Sequence, residues 1–168
     1  KYAENDAVKF AAIAEKGSEH PLADAIINYA RNKKITIVNA DKFEAISGKG
    51  VFAKYKSYNI LLGNTKLIEQ YKIKITDEIN EKIKKLEEQG KTTVILAVNK
   101  SIIGLIAIAD TLKENSKEAV EELHKLGKEV IMITGDNESV AQAIAAQLGI
   151  ERVLQRLSIK SFAEFSGR

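Results

Sequence analysis

A chain of 168 residues that is 45% hydrophobic and 29% charged has enough apolar material for one domain or one and a half. Its net charge of +3 is small, and Lys and Glu are interleaved, which argues for a solvated mixed-charge surface and against a nucleic-acid partner. The absence of cysteine excludes disulfides, zinc–thiolate sites and cysteine nucleophiles; with only His20 and His124, a histidine metal site is not expected either.

Zero Cys, one Met and many Lys, Glu and Ile lean towards a thermophilic cytosol. No apolar run reaches the roughly 18 residues of a membrane helix, and no signal peptide is visible. The expectation is a soluble, cytoplasmic, monomeric piece of protein. The sequon Asn137-Glu138-Ser139 is discounted in that setting.

In chain order, Ala3, Ala7, Phe10, Ala11 and Ala14 recur at helical spacing, and Gly17 ends that helix. Pro21 opens a second helix, whose buried face is Leu22, Ala23, Ile26, Ile27 and Ala30. Four β-type runs follow: Ile35–Val38, Phe43–Ile46, Val51–Tyr55 and Tyr58–Leu62, with Lys56-Ser57 as a hairpin turn. Asn64 or Thr65 caps a short helix, and Thr76 or Asp77 a longer one, which carries Ile79, Ile83 and Leu86 inward and stops at Gly90. Two apolar strands, Thr92–Val98 and Ile102–Ala109, are joined by Asn99-Lys100. Short connections make this sheet mainly antiparallel, flanked by helix pairs.

Beyond Ala109 the pattern changes. Thr111-x-x-Glu114 resembles a capping box for a helix carrying Ala119, Val120, Leu123 and Leu126, which Gly127 ends. Glu129–Thr134 reads as a buried strand, and Gly135-Asp136-Asn137 as a loop. Val140 to Leu148 reads as a helix stopped by Gly149, and Arg152–Leu154 as a further strand. Helix-strand-helix-strand is half of a doubly wound parallel sheet. The fold class is therefore α/β in the α+β sense, with residues 1–109 and 110–154 as two domains.

Few residues carry chemistry. Gly90-Lys91-Thr92 mimics the end of a phosphate loop, but Lys85 stands where its first glycine is needed and the order is helix to strand, so it reads as a helix stop. Ser47-Gly48-Lys49-Gly50 joins two β runs; glycines let backbone approach a ligand closely, but a plain turn explains them as well. Glu15 and His20 flank the first helix–helix loop, where His20 is held extended by Pro21 and reads equally as a surface residue. His124 sits among charged neighbours on a helix. Thr134-Gly135-Asp136, between strand and helix, is either an anion site on free N–H groups or a simple turn.

Together these residues resemble the heavy-metal-transporting P-type ATPases, the copper pumps above all. Glu15-Lys-Gly-Ser-Glu-His-Pro-Leu-Ala23 is similar to that subfamily's Ser-Glu-His-Pro motif. Ser47-Gly-Lys-Gly50 resembles its Gly-x-Gly element and Leu62-Gly-Asn64 its Gly-Asn element. Asp110-Thr-Leu-Lys113 and Met132-Ile-Thr-Gly-Asp-Asn137 resemble parts of its phosphorylation domain. The order agrees over roughly residues 1–154.

The resemblance implies an antiparallel nucleotide-binding domain followed by part of a haloacid-dehalogenase-like phosphorylation domain. It implies ATP as ligand, with Glu15 accepting from the adenine amine and His20 packing on the ring. Gly48, Gly50, Gly63 and Asn64 would line the pocket, and Thr134, Gly135 and Asp136 would receive the γ-phosphate end. It implies partners too: the actuator and membrane domains of a pump in the cell membrane, with magnesium acting in the whole enzyme.

Three departures bear on activity. The family's Asp-Lys-Thr-Gly-Thr and its later Gly-Asp-Gly-x-Asn-Asp are missing, and Gln155-Arg-Leu-Ser-Ile-Lys160 breaks the pattern, so residues 155–168 read as an appended or misframed tail. The piece is therefore expected to bind ATP without turning it over. The competing readings are a free-standing haloacid-dehalogenase-like phosphatase, which needs an Asp-x-Asp that the chain does not contain, and a non-catalytic interaction domain.

Overall fold

Alternation of side chains along β-strands decides the first layer of structure. In a computed structural model describing residues 2–109, 112–135 and 137–155, the chain divides into two units. The first comprises Lys1–Ile83 and Thr93–Ile108, the second Lys84–Thr92 and Ala109–Arg168.

The first unit opens with helices α1 (Glu4–Glu15) and α2 (Pro21–Asn32). Strands β1 (Lys42–Ile46), β2 (Gly50–Tyr55) and β3 (Tyr58–Gly63) follow, then helix α3 (Thr65–Gln70) and helix α4 (Asp77–Glu87), which passes into the second unit after Ile83, then strands β4 (Lys91–Val98), back in the first unit from Thr93, and β5 (Ser101–Ala109), in it as far as Ile108. The strands form one sheet in sequence order, antiparallel at β1–β2, β2–β3 and β3–β4. Lys56 and the pair Asn99–Lys100 take φ of 52°, 48° and 66°, the left-handed values that tight hairpins require.

Register then sorts the core into two clusters. Val51 pairs with Leu62 and Leu62 with Leu96, and all three turn to Phe10, Ile13 and Ile26 of α1 and α2. One residue along, Leu61 pairs with Ala97, and both turn to Leu67, Ile68 and Ile83 of α3 and α4. A sheet apolar on both faces thus has a helix pair on each. Along β5 the alternation slips at Gly104: Ile103 packs with the first cluster and Leu105, two residues on, with the second.

One expected strand does not form. Ile35, Ile37 and Val38 are half-buried against the first cluster but join no ladder, so three strands rather than four precede the second helix pair. Their apolar side chains pack on the first cluster without sheet pairing. Ile35 N–H donates to Ala30 O (2.9 Å) and Lys16 Nζ donates to Ile37 O (3.3 Å), which occupies backbone groups a ladder would need.

The second unit carries α5 (Ser116–Lys125), β6 (Ile131–Thr134), α6 (Glu138–Leu148) and β7 (Arg152–Gln155), with β6 and β7 parallel. This is the expected strand-helix-strand crossover. The proposed capping box is not where α5 begins: Asn115 precedes the helix at φ 74° with no side-chain cap, and an α-helix cannot run through a left-handed residue. Thr111 itself lies outside the described residues, as do Asp110, Asp136 and residues 156–168. Gly90, at φ 74°, ends α4, and a Cβ there would stand 3.5 Å from Ile144 of α6. Gly90-Lys91-Thr92 is thus a helix stop.

Candidate functional site

Glu15 closes α1 at the edge of the first cluster, where the helix must bury whatever stands in its last turn. It is 8% exposed, and its Oε2 has no hydrogen-bond partner. Burial pushes its carboxyl above the ordinary value of 4.5, against the opposing pull of a Ser18 hydroxyl bond and the nearby His20. Ser18 Oγ in turn accepts from His20 N–H at 3.3 Å. Gly17 presses this loop onto β1, since a Cβ there would lie 3.0 Å from the Phe43 ring.

His20 is exposed and extended (φ −77°, ψ 140°), as its position before Pro21 dictates. It also does something the sequence does not announce. Its Nδ1 accepts from Leu22 N–H at 3.2 Å, so the imidazole is the N-cap of α2.

The second group of candidate residues gathers at the far end of β1. Lys49 N–H donates to Ile46 O (3.0 Å), closing a turn in which Gly48 takes φ 68°. Asn64 N–H donates to Lys49 O (2.9 Å) and its Nδ2 to Gly48 O (3.0 Å), while its Oδ1 caps α3 by accepting from Leu67 N–H (3.2 Å). The glycines differ in kind. Gly50 and Gly63 pair across β2–β3, and a Cβ on either would stand 2.2 Å from a carbonyl oxygen, so the sheet itself requires both. A Cβ on Gly48 would meet nothing within 4 Å. Phe43 and Ile46 are three residues apart on β1, so the Glu15–His20 loop and the Gly48 turn attach to one strand roughly 10 Å apart.

The sequence marks Gly17 only as a helix stop and does not single out Ser18 or Lys49 as site residues. Ser18 lies inside the Ser-Glu-His-Pro motif, which was the available signal. Lys49 Nζ donates to Gln70 Oε1 at 2.6 Å, a pairing that only the fold creates. A groove of about 510 Å³ lies between α1, α2 and β5, but none of the nominated residues lines it.

In the second unit, Thr134 is half-buried at the end of β6, and Gly135 is exposed with open space above its Cα. Asn137 caps α6 through Oδ1 to Ser139 N–H (2.9 Å) and donates to Glu87 Oε1 (3.0 Å). Asp136, the third residue of that candidate loop, is outside the described residues. Among the described residues no three His, Cys, Asp or Glu side chains gather as metal ligands.

An antiparallel α/β unit with a buried acid at a helix–helix corner, followed by a strand-helix-strand crossover, defines a mixed α/β protein with a candidate ligand corner on its first unit. Residues 2–165 match the haloacid dehalogenase-like hydrolase family, and the chain belongs to it. It is 44% identical over 153 residues to the copper-exporting P-type ATPase of Staphylococcus aureus strain JH9, an alignment covering 91% of this chain and 19% of that protein. The chain thus spans about a fifth of the curated relatives it matches. Among solved structures it is similar to a zinc-transporting PIB-type ATPase in the E2.Pi state (30% identity, TM-score 0.72, 98% of this chain and 26% of that one). It is also similar to the N-domain of HMA8, a copper-transporting P-type ATPase (26% identity, TM-score 0.55, 64% and 92%).

Proposed function

We propose that the first unit binds ATP through Glu15, His20 and the Gly48–Asn64 cluster. In this reading the chain is the ATP-handling cytosolic part of a copper-translocating P-type ATPase. Residues 1–109 are its nucleotide-binding domain and 110–154 part of its phosphorylation domain. The observation that carries the reading is Glu15 Oε2, a buried acceptor with no partner. Leaving such a group unpaired costs on the order of 1–3 kcal/mol. An adenine exocyclic amine is a donor of the right kind to cancel that cost, so the corner fits the nucleotide. His20 stands beside it with an exposed ring, and Gly48 leaves room for a ligand to approach the turn.

In the whole pump this unit would deliver the γ-phosphate to an aspartate of the family's Asp-Lys-Thr-Gly-Thr, a motif not found in these 168 residues. The Thr134–Asp136 loop would receive the phosphate end. Magnesium, the actuator domain and the membrane domain belong to that larger assembly, which would sit in the cell membrane. Copper as cargo rests on the 44% identical relatives.

The test is an ATP titration followed by amide NMR. Shifts should centre on Glu15, His20, Gly48 and Asn64, with Kd of about 0.1–1 mM, or roughly 4–5.5 kcal/mol, and little dependence on magnesium. Steady phosphate release that survives repurification would favour the free-standing phosphatase. No shift at any ATP concentration would leave an interaction domain.

A further inference from the structure

We infer that the start of α2 holds the His20 ring in its Nε2–H tautomer, so that His20 meets its ligand as a hydrogen-bond donor through Nε2 as well as by its ring face. A neutral imidazole has one N–H and one bare nitrogen. Leu22 N–H lies 3.2 Å from Nδ1, and a backbone amide can only donate, so Nδ1 is the bare nitrogen and the proton sits on Nε2. The backbone that carries the ring is held as well. His20 N–H is tied to Ser18 Oγ at 3.3 Å, and Pro21 keeps the backbone extended. Capping therefore spends the acceptor nitrogen on the protein and leaves the donor outward, on an exposed side chain.

This inference rests on the nucleotide reading. It adds that the corner offers a ligand one acceptor, Glu15 Oε2, and one donor, His20 Nε2–H. A nucleotide carries both complements: an amine for the carboxylate, and ring, ribose or phosphate acceptors for the imidazole. It also gives His20 a structural duty that substitution can separate from binding.

A long-range ¹H–¹⁵N spectrum of the histidine-labelled chain, recorded at about pH 8 where imidazoles are ordinarily neutral, reads the tautomer without ligand. Exposed His124 on α5 serves as the reference in the same spectrum. His20 should show a bare Nδ1 and a protonated Nε2; the opposite tautomer overturns the inference. Saturating ATP should move the His20 Nε2 resonance and leave the tautomer unchanged. Adenosine in place of ATP separates a base or ribose acceptor, which it retains, from a phosphate, which it lacks. If backbone amides move with ATP while Nε2 stays still, the donor is overturned and the nucleotide reading stands. If nothing moves, both fall together.

Substitution supplies the second arm. H20N keeps a capping acceptor and H20A does not, so H20A should melt several degrees lower and H20N close to wild type. Both should bind ATP fivefold or more weakly. Equal melting of the two variants would overturn the cap.

Discussion

The two units differ in how far each closes its own core. In the first, Ile13, Ile60, Leu62, Leu67, Ile68, Ile95, Leu96 and Val98 are each less than 2% exposed, and both sheet faces carry a helix pair. In the second, no described buried hydrophobic side chain is larger than Val, while Ile133 is 59% and Leu126 72% exposed. Apolar burial stabilises by about 25 cal/mol per Å², so the five-stranded unit should unfold last and its β3 and β4 amides should exchange slowest. A site on a closed unit is pre-organised. A loop on an open one takes its geometry from fewer contacts.

The most severe test falls on the sheet. Gly50→Ala places a Cβ 2.2 Å from Leu62 O at φ 139°, and neither backbone can yield. A loss of about 4 kcal/mol or more is expected in urea unfolding. Gly48→Ala, with the same Cβ added in open space at φ 68°, should cost only about 1 kcal/mol. Similar losses at both positions would erase the distinction between a glycine the sheet needs and one that leaves room for a ligand.

Leu96→Ala should cost about 3 kcal/mol, because the side chain is fully enclosed at the centre of the first cluster. Leu126→Ala, by contrast, should change stability by less than about 0.5 kcal/mol. A large effect at Leu126 would mean that the second unit's exposed apolar surface is engaged after all.

Glu15 gives a pH signature. Its folded carboxyl titrates above 4.5, so the folded state holds the proton more tightly than the unfolded one. The associated stability is fully present below about pH 4.5 and is lost as pH rises through the folded value. Glu15→Gln should flatten that decline and leave the chain more stable than wild type at neutral pH. The comparison is two melting-temperature profiles from pH 4 to 8. A variant less stable than wild type at neutral pH would show that the carboxylate is paired rather than stranded.

Legibility in the sequence followed the range of the physics. The first two helices, the Asn64 cap, the Lys56-Ser57 hairpin and the glycine stops at 90, 127 and 149 rest on periodicity and φ within a few residues, and the structure has them. The order of the motifs likewise singled out the Glu15–His20 loop and the Gly48 turn, although the hydrogen bonds that each makes stayed hidden. Other features needed partners distant in the chain. Ile35–Val38 has strand composition, yet its apolar side chains pack on the first cluster while Ile35 N–H and Ile37 O bond to Ala30 and Lys16, and it joins no ladder. Gly50 and Gly63 are thirteen positions apart, and only strand register reveals that each excludes a side chain from the other. That Glu15 is buried with a bare oxygen depends on how the end of α1 packs against residues distant in the chain. Local propensity sets the elements; the solvation of a single carboxylate oxygen is decided only when distant segments close around it.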